Sequence, residues 1–315
     1  MDRQARLFSG MLVGNAVGWL LVVLAQSLLS TLEDGQPRAD SVVSTVAVVV
    51  WPSLVLVPFA VGLVAAWFWR ALHLKVGEVL LHSMTTSLFG LLASWSVMGE
   101  GIVCILMVSP LIYTAIAAGA LTGRVWFRTG ENRLKLSILP LVAFAVLVEP
   151  KLRVDEDAVV TDEVLISATP AQVWPHVLAF PEIPDRPNHL LFWVGLPYPT
   201  RTTNSGEFVG AARACIFSGG VTLHERVPEL VPRERLTFEI TEQPTHPEAY
   251  GHLTLHRGQF ILRDNGNGTT TLIGSSWYAL HVRPRWYFDL WMESATRAVH
   301  RRVMEHIARL AEGKA

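Results

Sequence analysis

Charged residues are scarce in this chain of 315 amino acids. They make up 17% of it, whereas about a quarter is usual for soluble globular domains, and hydrophobic residues make up 50%. The average conceals two halves, because long uncharged runs occupy the first part and nine of the eleven histidines come after residue 149. We therefore predict a multi-span membrane domain at 1–149, a linker at 150–158 and one globular domain at 159–315.

Cysteine is rare, and there is no excess of positive charge. Only Cys104 and Cys215 occur, one in each half, which excludes a disulfide framework and a cysteine-based metal site. The formal net charge of −1 argues against nucleic acid as a partner. No phosphate-binding loop or dinucleotide fingerprint is present, and we expect no cofactor.

Four uncharged runs in the first half are long enough to cross a bilayer, which takes about 20 apolar residues of helix. They are Leu7–Leu32, Ser41–Trp69, Val79–Gly99 and Gly101–Gly123. A fifth segment, at about 134–149, has a shorter apolar part, and a segment of that length either spans the bilayer or lies at its interface.

The charges of the loops favour five spans. Basic residues collect in MDRQAR, RALHLKVGE and RVWFRTGENRLK, whereas TLEDGQPRAD is mainly acidic. If the spans alternate, the three basic segments lie on one side, which is predicted to be cytoplasmic. A fifth span then places the C-terminal domain on the extracytoplasmic side of the cell membrane, and without that span the domain is cytoplasmic.

The second half is predicted to contain a strand, short helices, about six antiparallel strands and a long helix. Thr169 and Pro170 have the residue types of an N-cap and a first helical position. LLFWVG is predicted to be a strand and LPYPTRTTNSGEFVG a loop, with turns at Gly219–Gly220 and in RDNGNG. The last helix carries an apolar stripe that begins at Trp286 and Leu290. We expect a curved antiparallel sheet around this helix, beside an all-α membrane bundle of four or five spans.

Several of these segments together resemble a known family. ATPAQVW, GEFVGAARACIFSGG, HERV, NGNGTTTL and the final amphipathic helix are similar to the SRPBCC superfamily, in its START/Bet v 1-like, polyketide cyclase/dehydrase-like branch. The resemblance covers roughly Val159 to Gly313. It implies an α+β helix-grip fold with an apolar cavity for lipids, sterols, quinones, polyketides or hormones. Some members are cyclases or hydrolases and many only bind, whereas the multi-span half has no counterpart in the soluble members.

The candidate ligand-binding residues are one charged pair and a set of aromatic residues. Arg213 and Glu225 flank the Gly219–Gly220 turn on neighbouring strands, and they either anchor a ligand head group in the cavity or form a surface cross-strand pair. The aromatic candidates, each of which also suits an ordinary core, are Trp174, Trp193, Phe217, Phe238, Phe260, Trp277 and Trp291. The cluster RPRWYFDLW suits either a membrane interface or helix packing.

Patterns for catalysis or metal binding are weak. His189 and His281 are possible bases, but no partner pattern accompanies them, and the GSS at Gly274–Ser276 lacks the context of a hydrolase elbow. His252 and His256 lie about 13 Å apart along one strand, which is too far for a shared metal ion.

The predicted function is therefore binding of a hydrophobic small molecule or lipid by a membrane-anchored domain, for transfer or sensing, without catalysis. The alternative is a cyclase/dehydrase-type enzyme that uses Arg213, Glu225 or His224 as acid–base groups. A further alternative is a structural or sensory membrane protein whose domain binds another protein.

Overall fold

A computed structural model describes residues 2–32, 51–99, 101–128, 157–243, 253–282 and 285–314. The chain divides into two compact units, one comprising Met1–Val154 and Val282–Pro284 and the other Asp155–His281 and Arg285–Ala315.

The first unit contains four long helices within its described residues. They are α1 (Arg3–Leu32), α2 (Trp51–Trp69), α3 (Val76–Met98) and α4 (Ile102–Arg128). Each contains a stretch long and apolar enough to cross a membrane, as the sequence predicts for these four segments. The predicted fifth span, at about 134–149, lies outside the described residues.

Small residues let α2 and α4 approach each other closely. A Cβ added at Gly62 would lie 2.0 Å from the Ile116 carbonyl oxygen, and one added at Gly119 would lie 2.0 Å from the Phe59 carbonyl oxygen. Both distances are far inside van der Waals contact, so each helix needs a glycine where the other crosses it. Close backbone approach through glycine is typical of helix packing in membranes.

The outer surface of this unit is apolar. Large apolar side chains are exposed on α1 and α3, among them Leu20, Leu81 and Leu92 at more than half of their surface. The side chain of Asn15 on α1 instead faces inward and donates hydrogen bonds to the carbonyl oxygens of Met11 and Thr86. An apolar exterior with polar groups turned inward is the arrangement that a lipid environment favours.

The second unit is a curled antiparallel sheet of seven strands with a long C-terminal helix, which is the predicted helix-grip arrangement. The strands are β1 (Asp157–Ile166), β2 (Pro199–Asn204), β3 (Ala212–Phe217), β4 (Thr222–Val231), β5 (Arg235–Glu242), β6 (Leu253–Asp264) and β7 (Thr270–Leu280). Their order in the sheet is β1-β7-β6-β5-β4-β3-β2, so the first strand pairs with the last. The helices are α5 (Pro170–Leu178), α6 (Leu190–Trp193) and α7 (Arg285–Ala311).

Local sequence signals explain how α5 begins and how β3 turns into β4. Thr169 caps α5 in a capping box with Gln172, and Pro170 is the first helical residue, as predicted. Between β3 and β4, Gly219 and Gly220 have φ values of 72° and 80°, which glycine adopts without steric cost. The turn places Arg213 directly opposite Glu225 in the ladder.

Two local predictions in this unit are wrong. LLFW forms the short helix α6 because the His189 ring nitrogen accepts a hydrogen bond from the Leu191 N–H and caps the turn. The predicted loop LPYPTRTTNSGEFVG contains the edge strand β2. There, backbone pairing with β3 decides the conformation, although the polar side chains of PTRTTN give no apolar alternation to predict it.

The apolar stripe of α7 also starts later than predicted. Trp286 and Leu290 are 67% and 63% exposed, so they do not belong to the buried face. That face includes Phe288 and Ala295, and it continues to Val303, Met304 and Ile307, which join the main hydrophobic core. This core also takes residues from α5 and from the sheet.

Candidate functional site

The inner face of the sheet is the face that α7 crosses. A Cβ added at Gly274 on β7 would come within 2.8 Å of the Met304 sulfur, and Ser276 lies on the same face two residues later. Because side chains alternate along a strand, register pairing extends this face across β6 to Phe260 and Gly258, and then to Phe238 on β5.

Arg213 and Glu225 form a buried ion pair on the inner face. Their side chains are only 2% and 3% exposed, and an Arg213 guanidinium nitrogen bonds Glu225 Oε2. Arg213 Cζ also lies 4.3 Å from the centre of the Phe238 ring, and its Nε donates to the Leu178 carbonyl oxygen at 3.4 Å. The sequence left a surface pair open as an alternative, and this burial excludes it.

The low polarity around this pair changes the chemistry of the groups near it. Burial raises the pKa of Glu225, and the guanidinium of Arg213 opposes that rise. Burial and the charge of Glu225 raise the pKa of the Cys215 thiol to about 12. Cys215 is therefore a thiol rather than a thiolate at neutral pH, which makes it a poor nucleophile.

Next to the ion pair, the inner face is apolar and only partly covered. Phe217, Phe238, Ile240 and Leu255 are half-buried, although strand alternation and register put them on the inner face. Ile240 lies directly opposite Glu225 in the ladder. We call these four side chains, Phe217, Phe238, Ile240 and Leu255, the apolar wall.

The other predicted aromatic residues lie in different places. Trp174 and Phe260 are buried in the main core, where the Trp174 indole N–H donates to Glu207 at 2.6 Å. Trp193 is 68% exposed and donates to the Pro187 carbonyl oxygen. Trp277 lies on the opposite face of the sheet from Ser276, with Arg257 Cζ 4.3 Å from its ring centre. Trp291 is half-buried on α7 next to Tyr287.

A second polar cluster joins α7 to the sheet, and no pattern in the sequence predicted that its members are in contact. His300 on α7 contacts Ser276 on β7 through Nε2 at 2.8 Å and Asp162 on β1 through Nδ1 at 2.8 Å. Asp162 also pairs with Arg297, which bonds Glu293 one helical turn earlier. We call Asp162, His300 and Ser276 the relay.

The relay has no linear signature because its members come from three elements. Ser276 lies inside a strand, two residues after Gly274. The sequence could have revealed these contacts only if the pairing of β1 with β7 and the rotation of α7 about its axis had been predicted together. The two histidines that the sequence singled out lie elsewhere: His189 bonds Ser294, and His281 bonds Thr254. His224 and Arg226 are exposed on the face opposite Glu225.

Within the described residues, no group of three or more His, Cys, Asp or Glu side chains could hold a metal ion. His256 Nε2 lies 3.3 Å from Asp157 Oδ1, and His252 is outside the described residues.

The comparisons with known proteins concern the second unit. Residues 157–312 match the family described as "Polyketide cyclase / dehydrase and lipid transport". No protein with curated annotation matches the chain.

Similar solved structures include norcoclaurine synthase from Thalictrum flavum, with 14% identity over 51% of this chain and 90% of that chain and a TM-score of 0.35. Zhui aromatase/cyclase from Streptomyces sp. R1128 has 13% identity over 50% and 94%, with a TM-score of 0.35. A protein from Nitrosospira multiformis has 16% identity over 48% and 94%, with a TM-score of 0.34.

Proposed function

We propose, on the premise that residues 157–312 form a domain of the polyketide cyclase/dehydrase and lipid transport family, that this chain is a membrane-anchored protein that binds a hydrophobic small molecule or lipid. The ligand lies between the inner face of the sheet and α7. The proposed division is a membrane domain at 1–149, a linker at 150–158 and the binding domain at 159–315.

The observation that carries this proposal is the apolar wall. Four large apolar side chains on the inner face remain half-buried, although the C-terminal part of α7 packs tightly into the core further along. Full burial of such a side chain is worth roughly 1.5–3 kcal/mol relative to full exposure, and these four, being half-buried, forgo part of that free energy. An apolar ligand that covers them recovers part of that free energy, which is the usual driving force at a mostly apolar binding site.

The buried ion pair places two charged groups next to such a ligand. Arg213 lies against Phe238 of the wall, and Glu225 lies opposite Ile240. A ligand along the wall therefore has its polar end near two charged groups that already satisfy each other. We propose that the pair orients a polar head group, while affinity comes from the apolar contacts.

Four helices of sufficient length and apolarity support the membrane anchor. Their exposed leucine and valine side chains would be unfavourable in water, and they suit contact with acyl chains. The binding domain is then tethered to a membrane that is itself a source of hydrophobic ligands.

Native mass spectrometry and organic extraction of the purified full-length protein in detergent test the binding function. We expect a co-purifying hydrophobic molecule, whose amount falls at least tenfold in Ile240→Trp because the larger side chain fills space along the wall. Val159→Trp is the matched control, since Val159 is 54% exposed on the opposite face of the sheet. A protein that carries no such molecule and takes up none from lipid vesicles would contradict the proposal.

A further inference from the structure

The relay has the contacts of an activated serine. An ionised carboxylate only accepts hydrogen bonds, so Asp162 fixes the His300 proton on Nδ1. The other nitrogen of a neutral His300 then accepts the hydroxyl proton of Ser276, at a distance of 2.8 Å. Nucleophile, base and orienting acid are recognised by this geometry and not by their order in the sequence.

Burial favours the neutral, base form of the histidine. His300 is 6% exposed, and burial lowers its pKa, while Asp162 opposes that effect. Asp162 is 25% exposed at its side chain and pairs with Arg297. The base is therefore covered, and the orienting carboxylate is itself held in place by its ion pair with Arg297.

Ser276 faces apolar surroundings while keeping some exposure. It is half-buried, whereas its inner-face neighbours Gly274 and Tyr278 are buried. Its cross-strand neighbour is Gly258, and the ring of Phe238 covers that glycine so closely that an added Cβ would lie 2.3 Å from Cζ. The hydroxyl is thus next to the apolar wall.

The adjacent serine shows what a purely structural serine looks like in this strand. Ser275 points to the opposite face, where its hydroxyl lies 2.9 Å from that of Thr161 on β1. That contact ties two strands together without any titratable group. Ser276 instead contacts a covered histidine whose second nitrogen is bound to a carboxylate.

We propose that Ser276, His300 and Asp162 hydrolyse a carboxylic ester of an apolar acyl chain. Ser276 Oγ bonds to the acyl carbon and its proton passes to His300 Nε2; the ester C–O bond breaks, and the alcohol leaves with that proton. Water then attacks the acyl-serine, its proton passes through His300 to Ser276 Oγ, and the carboxylic acid is released. The proposal goes beyond ligand binding, and the acyl chain lies along the apolar wall.

Covalent labelling of the full-length protein in detergent tests the nucleophile directly. We expect an alkyl fluorophosphonate to form a bond between phosphorus and Ser276 Oγ with loss of fluoride, and tandem mass spectrometry to locate the adduct on Ser276. Ser276→Ala abolishes this adduct, whereas the matched control Ser275→Ala keeps it. An unlabelled Ser276 in the folded protein overturns the proposal.

Variants of the other two members test the relay against a structural role. His300→Gln and Asp162→Asn are each expected to slow labelling and the hydrolysis of p-nitrophenyl decanoate at least 100-fold, because they remove the base or its orientation. Circular dichroism checks that each variant is folded, and an unfolded variant is replaced by the other. Labelling that stays as fast in a folded variant contradicts the relay.

Failure of catalysis and failure of binding give different results. Wild-type protein that carries a hydrophobic molecule but shows no adduct retains the binding function and loses the esterase proposal. An adduct on Ser276 in a protein that neither carries nor takes up a hydrophobic molecule supports the esterase proposal and contradicts the binding function.

Discussion

At the scale of single residues, the molecule holds a full ion pair beneath its apolar surface. Desolvating Arg213 and Glu225 is costly, and their mutual attraction offsets that cost only while both are present. The Arg213 guanidinium gains further contact with Phe238, which an apolar replacement of similar length retains. The pair is therefore a sensitive point for stability if only one member is changed.

Arg213→Met is expected to lower the free energy of unfolding by about 3–5 kcal/mol, because Glu225 is left buried without a partner. The double variant Arg213→Met/Glu225→Leu should recover most of that loss. Thermal unfolding of the full-length protein in detergent measures both, and Arg263→Ala is the control because its pair with Glu163 is about half exposed and contributes roughly 0–1 kcal/mol. A double variant as unstable as the single one would contradict this account.

The pH dependence of Ser276 labelling follows from the pKa of His300. The charged groups that face this ring are Asp162 on β1 and Arg297 on α7, and Ser276 on β7 is the neutral partner. Because burial lowers the pKa below its ordinary value of 6.5, the base form persists at neutral pH and is lost only as the pH falls below 6.5. Labelling should thus be constant above pH 7 and decline on the acid side.

In Asp162→Asn the midpoint of that decline should move to lower pH, because Asp162 is the group that raises the pKa of His300. The contribution of His300 to the free energy of unfolding also falls on the acid side. A buried neutral histidine stabilises the fold above its unfolded pKa and loses that contribution on protonation. A midpoint above 6.5 in the wild-type protein would contradict the assignment of His300 as the base.

At the scale of elements, each unit contains a close contact between two elements that depends on glycine. In the first unit, Gly62 and Gly119 bring α2 and α4 into backbone contact. In the second, Gly274 allows Met304 of α7 to pack against β7. Each glycine stands where a neighbouring element occupies the space of a side chain.

Gly62→Val is expected to destabilise the helix unit by about 1–3 kcal/mol or more, because its side chain would collide with the Ile116 backbone. Gly77→Val is the control, since nothing lies within 4 Å of a Cβ at that position. The measurement is the temperature at which the protein leaves the monodisperse peak in size-exclusion chromatography in detergent. Equal temperatures for the two variants would show that α2 and α4 tolerate separation.

The sequence predicts most elements and fewer of the site contacts. Long uncharged runs and capping residues give α1–α4 and α5, since both signals act locally. The helix at LLFW and the strand at PTRTTN are harder to predict, because a capping side chain decides the first and cross-strand pairing decides the second. The pairing of Arg213 with Glu225 follows from counting along one hairpin. The relay does not, because it depends on the phase of a helix against two strands that are distant in sequence.

At the scale of the whole molecule, the side on which the second unit lies depends on the segment at about 134–149. A reporter fused after the C-terminal residue tests the prediction of five spans: alkaline phosphatase should be active there, and green fluorescent protein should be dark in an exporting bacterial host. The reverse result would indicate four spans and a cytoplasmic domain. Membrane anchoring itself is tested separately, by retention of the protein in the pellet after alkaline carbonate washing.

The pairing of β1 with β7 has a consequence for how the protein is made. The ladder joins Asp157–Ile166 to Thr270–Leu280, so the first strand to leave the ribosome finds its partner only after about 100 further residues. Until then β1 has an open edge, and the nascent domain depends on protection from aggregation. Contacts so distant in sequence also make folding slow. A ribosome stalled before β7 emerges should therefore hold a chain that protease cleaves throughout this half.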